Sequence, residues 1–158
     1  MNYFCHPSSI IDEGAKIGDS SKVWHFTHVS GAAVIGANVS LGQNVFVGNN
    51  VRIGDNCKIQ NNVSIYEGLI ISDNVFIGPS VVFTNVINPR AFVERKQEFK
   101  KTIVNEGVSI GANSTIVCGI ELGKFSFIGA ASVVTKSVSN FSLVYGSPAK
   151  HKGWISRA

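Results

Sequence analysis

Ile35-Gly36-Ala37-Asn38-Val39-Ser40-Leu41-Gly42-Gln43-Asn44-Val45-Phe46-Val47-Gly48-Asn49-Asn50-Val51-Arg52-Ile53-Gly54-Asp55-Asn56 decides the fold. Every sixth residue of this stretch is aliphatic, glycine follows it, asparagine comes two places later, and valine precedes the next repeat by two. The two apolar positions of each repeat are two residues apart and therefore lie on one face of a short strand. Glycine and asparagine tolerate left-handed backbone angles, so each strand ends in a corner. Three strands and three corners close a triangular coil of eighteen residues, and stacked coils bury one continuous core.

The period extends far beyond this stretch. Stepping by six from Ile11 gives Ile17, Val23, Val29 and so on to Ile77 and Phe83, with no polar residue. A second run holds Val104, Ile110, Ile116, Leu122, Ile128 and Val134, with Gly111, Gly123 and Gly129 behind the aliphatic residue. Phe83 and Val104 are out of phase, so residues 84–103 leave the coil; they contain Asn88-Pro89-Arg90 and a charged run from Glu94 to Lys101. A structureless insert of this length inside a compact domain is usually functional or disordered, and the functional reading is favoured here. The expected organisation is a single all-β domain over 1–158, with about six coils over 8–83 and 104–138, a loop excursion at 84–103, and a tail at 139–158.

Composition narrows the function classes. The 158 residues carry a net charge of +4, with 44% hydrophobic and 15% charged residues. The basic residues form no stripe or nucleic-acid motif, so anionic small ligands are expected rather than nucleic acid. No apolar run is long enough to cross a bilayer, and the N-terminus has no leader pattern. Cys5, Cys57 and Cys118 match no zinc spacing or disulfide framework, which fits a reducing cytoplasm.

The repeats resemble the hexapeptide-repeat acyltransferases. The strings Val23-Trp24-His25-Phe26-Thr27-His28, Lys58-Ile59-Gln60-Asn61-Asn62-Val63-Ser64-Ile65-Tyr66, Phe83-Thr84-Asn85, Gly111-Ala112-Asn113 and Gly153-Trp154-Ile155-Ser156-Arg157 resemble, more narrowly, nucleotide-sugar N-acetyltransferases. The resemblance implies a left-handed parallel β-helix, a homotrimer with sites between subunits, and acetyl-CoA as co-substrate without a metal. It also implies acetylation of a 3-amino sugar in lipopolysaccharide or O-antigen biosynthesis. UDP-2-acetamido-3-amino-2,3-dideoxyglucuronate is the favoured acceptor and a dTDP-3-amino-3,6-dideoxyhexose the alternative. A non-catalytic or metal-binding β-helix is the competing class; a metal site needs histidines converging on one face, and His25 and His28 occupy different positions of one repeat.

Acyl transfer to an amine needs placement, loss of a proton and a donor near the developing oxyanion. Stacking by eighteen aligns His25, Gln43, Asn61 and Pro79, and separately Glu67 with Asn85. Asn85 is the first choice for orienting the amine, since the resemblance carries the Phe-Thr-Asn string to it; a capping asparagine is the structural alternative. His25 is the best histidine for base work, against simple packing under Trp24. Glu67, Gln60 and Asn62 complete the expected sugar site, although the Asn38-to-Asn62 ladder reads as structural. Arg90, Arg95 and Lys96 are expected to meet a sugar carboxylate or the diphosphate. For CoA, Gly111 under Gly129 and Ala112 under Ala130 offer backbone groups, Lys136, Lys150, Lys152 and Arg157 form a C-terminal basic group for its phosphates, and Pro148 is expected to line the cofactor site beside them. Phe26 and Phe125 take corner positions, and Trp24 and Tyr66 replace corner glycines; such aromatics read as subunit contacts or base-stacking surfaces.

Overall fold

The structure is a computed structural model that describes residues 2–156. Each repeat forms a strand of two or three residues, and strands eighteen positions apart pair in parallel, as in Lys22 with Ser40 and His28 with Phe46. Three sheets result. The first face runs from Phe4–Cys5 to Ser142–Gly146, the second from Ile10–Ile11 to Val133–Val134, and the third from Lys16–Ile17 to Glu121–Leu122. Among the described residues the first face has nine strands, the second seven and the third six. Among the described residues only Lys96–Glu98 is helical, as one 3₁₀ turn.

The solenoid is longer than the expected six coils. Phe4–Cys5 already pairs with Lys22–Val23, and Ser142–Gly146 continues the first face on Phe127–Ile128 although its residues have left the six-residue pattern. Ala149–Trp154 then folds back antiparallel on Ser142–Gly146 and closes that sheet. The tail is thus partly coil. The coil also resumes at Thr102, because Thr102–Val104 pairs with Leu69–Ile71.

Inward residues behave as the period requires. Val29, Val47, Ile59, Ile65, Ile77, Ile110 and Ile128 are fully buried, and so are Ala33, Val51, Val63 and Val108 two positions earlier in their repeats. Cys57 fills one of these inward positions; burial, with smaller contributions from Asp73 and Asp55, pushes its thiol up to about 11. Its Sγ donates to the Ser72 carbonyl at 3.1 Å, so it is a core residue with little thiolate at neutral pH. The corner asparagines from Asn38 to Asn62 all have φ between 54° and 62°. Phe26, at φ 54°, and Phe125, at φ 55°, adopt the same conformation without the local hydrogen bonding that favours asparagine there. Phe125 has a structural reason: its ring lies where a Gly107 side chain would be and stacks 5.5 Å from Phe141.

The excursion leaves the coil after Val82–Phe83 and carries a short hairpin bridge between Arg90 and Val93. Its residues 87–94 are exposed, Phe92 to 85%. The coil core does not depend on them. Replacing residues 87–98 by a short Gly-Ser linker is expected to leave the β-type circular dichroism spectrum intact and to lower the melting midpoint by only a few degrees. Loss of the β signal would show that the excursion is part of the folding unit.

Candidate active site at two corners

The corner between the second and third faces forms the base of the excursion. Thr84 Oγ1 accepts from the Cys118 amide at 3.0 Å, and Thr102 Oγ1 accepts from the Gly119 amide at 3.2 Å. The Asn85 carbonyl accepts from Lys100 N at 2.8 Å, and the Gly68 carbonyl from Thr102 N at 2.9 Å. Both ends of the excursion are therefore tied to the rungs below and above it. Asn85 is half-buried there, and its carboxamide has no partner among the described residues. One rung below, Glu67 is held by Asn50, whose Nδ2 donates to Oε1 at 2.7 Å. Asn50 was legible only as a corner asparagine; that it orients Glu67 emerges from the fold.

The excursion's basic residues are less available than the sequence suggests. Arg95 donates to both Glu98 oxygens through Nη1 alone, at 2.8 and 2.9 Å, and its Nε is buried without a partner among the described residues. Arg90 bonds the Pro89 carbonyl at 3.1 Å, and Lys96 lies 3.6 Å from Glu94 with both side chains about three-quarters exposed, at 77% and 76%.

The corner between the first and second faces carries the remaining candidates. His25 stacks on His6 at 3.6 Å and lies beside Trp24, with ring centroids 6.5 Å apart. His28 sits instead on the second face and pairs with Asp12 at 2.9 Å. Gln60 and Asn62 are on the His25 corner, so one chain does not bring them to Glu67 and Asn85; Asn62 Oδ1 accepts from Asn44 at 3.1 Å as part of the corner ladder. His25 and Asn85 likewise lie on different corners of one chain.

At several corners the amide beyond the turn is satisfied by a side chain one rung on, whereas at others, His25 N and Asn61 N among them, no acceptor stands among the described residues. Ala37 N donates to Asp55, Gln43 N to Asn61 and Asp55 N to Asp73, at 2.7–2.9 Å. At Ala112 the residue one rung on is Ala130, and beyond Ala130 the chain presents Tyr145 and Gly146. Neither Ala112 N nor Ala130 N has an acceptor among the described residues. Gly111 and Gly129 play another part, since their own amides serve the rung ladder, donating to Ile128 and Val144 at 2.8 Å. A side chain at Gly111 would approach Ala130 N to 2.5 Å, so glycine there permits the close stacking.

This column runs into the C-terminal hairpin. A side chain at Gly129 would meet Tyr145 Cβ at 2.7 Å, and Tyr145 pairs across the hairpin with Lys150. Beside it opens a cavity of about 470 Å³, lined by Lys136, Pro148, Lys150 and Trp154 over an apolar floor of Val134, Val138 and Val144. His151 contributes as well, 2.5 Å from Ser142 Oγ and 4.5 Å from the Trp154 ring. Of the four basic residues expected to meet phosphates, Lys136 and Lys150 thus converge, Lys152 lies over the Tyr145 ring at 5.0 Å, and Arg157 lies outside the described residues. Among the described residues, no three His, Cys, Asp or Glu side chains gather as metal ligands, and no helix is long and apolar enough to cross a membrane.

The model of the bacterial transferase hexapeptide (six repeats) matches residues 14–49 and 50–85, and that of the hexapeptide repeat of succinyl-transferase matches 32–67 and 101–136. The dTDP-3-amino-3,6-dideoxy-alpha-D-galactopyranose 3-N-acetyltransferase of Aneurinibacillus thermoaerophilus is 49% identical over 152 residues, covering 96% of this chain and 78% of that protein. A hexapeptide-repeat acetyltransferase of Vibrio cholerae O1 biovar eltor, solved with acetyl-CoA, superposes with a TM-score of 0.61 at 30% identity, covering 73% of this chain and 70% of that one. A galactoside acetyltransferase in complex with coenzyme A gives a TM-score of 0.67 at 28% identity, over 75% of this chain and 63% of that one.

The hydrogen bonds at the base of the excursion yield a stability prediction. Thr84→Val leaves the buried Cys118 amide without its acceptor and is expected to cost about 1–3 kcal/mol in denaturant unfolding. Thr84→Ser, which keeps the hydroxyl, is expected to stay near wild type. Equal stability of Thr84→Val and wild type would contradict the assigned bond.

Proposed function

We infer, from the premise that this chain belongs to the bacterial hexapeptide transferase family, that it transfers an acetyl group from acetyl-CoA to the 3-amino group of a nucleotide-linked sugar. It is an acyl-CoA-dependent N-acyltransferase. The observation that carries the acceptor reading is the 49% identity, across nearly the whole chain, to an enzyme named for a dTDP-linked 3-amino-3,6-dideoxygalactose. This displaces the UDP-linked uronate favoured from the sequence.

The reaction needs the amine nitrogen on the thioester carbonyl. The C–N bond forms as the C–S bond breaks, and the proton lost by nitrogen leaves with the thiolate or through solvent. Asn85 orients the amine through its unpartnered carboxamide, and Glu67, fixed by Asn50, accepts from the ammonium before attack. The free amides of Ala112 and Ala130 donate to the pantetheine carbonyls. Lys136 and Lys150 at the C-terminal cavity meet the phosphates of CoA.

Both half-sites flank the second face, which also explains why one chain does not join them. The outward residues of that face, Ile10, His28, Phe46, Ser64, Val82, Thr115 and Val133, include no Lys, Arg, Asp or Glu, whereas Lys22 and Lys58 stand on the first face and Lys16, Arg52 and Glu121 on the third. Ile10 and Val82 are 62% and 50% exposed there. Packing three copies through this face buries those side chains and sets the Ala112 corner of one copy against the Asn85 corner of the next.

Thiol release from acetyl-CoA with a dTDP-linked 3-amino-3,6-dideoxyhexose tests the reading. Turnover is expected with that acceptor, and Asn85→Ala is expected to lower kcat about 100-fold with an unchanged melting midpoint. His25→Ala should act chiefly on the KM for the nucleotide sugar. A dead His25→Ala beside a near-normal Asn85→Ala would make histidine base catalysis the better mechanism.

A further inference from the structure

The aromatic corner at the N-terminal end has no part in acyl transfer as derived above. Phe4 and Trp24 lie 5.3 Å apart, His6 stacks on His25 at 3.6 Å, and Phe26 stands 6.3 Å from His25. Phe26 is the informative member. It is held at φ 54°, a left-handed conformation that side chains other than asparagine and glycine seldom adopt, yet the residue is 63% exposed. That conformation therefore brings no compensating burial within the chain, unlike at Phe125, which packs on Phe141. Immediately C-terminal along the same corner, the carboxamides of Gln43 and Gln60 have no partner among the described residues.

Polarity along the solenoid says what this corner faces. The free amides of Ala112 and Ala130 and the basic cavity all lie on the C-terminal side of Asn85, so CoA occupies that direction. A second long substrate that meets the thioester head-on must extend from Asn85 toward the N-terminal rungs. Asn85 stacks three rungs beyond Gly31 in the coil of His25, roughly 14 Å at about 4.8 Å per rung. That interval leaves room for a hexose, a diphosphate and a pentose before any base.

We propose that the corner formed by Trp24, His25 and Phe26, with Gln43 beside it, is the platform for the pyrimidine base of the nucleotide sugar. Rings stack on the π-face of the base, and the Gln43 carboxamide, both donor and acceptor, pairs with its alternating carbonyl and N–H edge. The assignment rests on the nucleotide-sugar reading and adds where the nucleotide lies and which residues select it. Uracil and thymine share this edge, so both carriers stack alike.

Trp24 reports the contact directly. The chain has two tryptophans, and Trp154→Phe leaves Trp24 as the single emitter. TDP and UDP are expected to quench Trp24 emission in this variant, inorganic pyrophosphate is not, and Gln43→Leu is expected to raise the Kd for TDP about tenfold while CoA binding stays unchanged. TDP binding seen by calorimetry without quenching would overturn the platform and leave the nucleotide-sugar reading standing. Equal quenching by pyrophosphate would also overturn it, because the signal would then come from the diphosphate. Absence of any TDP binding to the wild-type protein would overturn both.

Discussion

The parallel hydrogen bonding between strands eighteen residues apart is the constraint on which the rest of this structure depends. Lys22 N to Val39 O, Ser40 N to Cys57 O and Lys58 N to Val75 O repeat the same contact at 2.8–2.9 Å. Each strand is only two or three residues long and cannot hold its conformation alone; it is held by the rungs on either side and by the aliphatic residue it sends inward. The corners must then turn within about four residues, which places a left-handed residue in most of them. Asparagine, glycine and the stacking distance are consequences of one geometry.

That geometry also explains how a chain with so few polar clusters presents a site. Repetition satisfies several corner amides with an Asp or Asn one rung away, as at Asp55 and Asn61. The proposed site groups stand where such an acceptor is missing or the coil is interrupted. Alanine at 130 offers Ala112 N no acceptor, and beside the insertion after Thr84 the Asn85 carboxamide has no partner among the described residues. Two aromatic residues replace corner asparagine at Phe26 and Phe125, and only one of them finds its cover within the chain.

Much of this was legible in the sequence, and the failures have physical causes. The inward residues, the left-handed asparagines and the point of excursion follow from the six-residue period, because the backbone repeats whatever the side chains do. The number of rungs does not, since Ser142–Gly146 joins the first face through backbone pairing after the apolar pattern has faded. Pairings that cross the register were hidden too: Glu67 with Asn50 is offset by seventeen positions, and Arg95 finds Glu98 inside the excursion. Glycine's role at 111 was legible only as openness, whereas a side chain there would come within 2.5 Å of Ala130 N, which makes glycine a steric requirement.

The central claim is that the Asn85 corner of one copy and the Ala112 corner of another form one acetyltransferase site. It is tested most directly by co-assembling two inactive chains, one carrying Asn85→Ala and the other Ala112→Trp, whose bulk blocks the amide column. If the site is shared, some interfaces in the mixed assembly hold an intact Asn85 opposite an intact Ala112, and acetyl transfer returns to a measurable fraction of wild type. If both corners of a single chain form the site, every site carries a defect, and mixed assemblies as inactive as either parent would contradict the account.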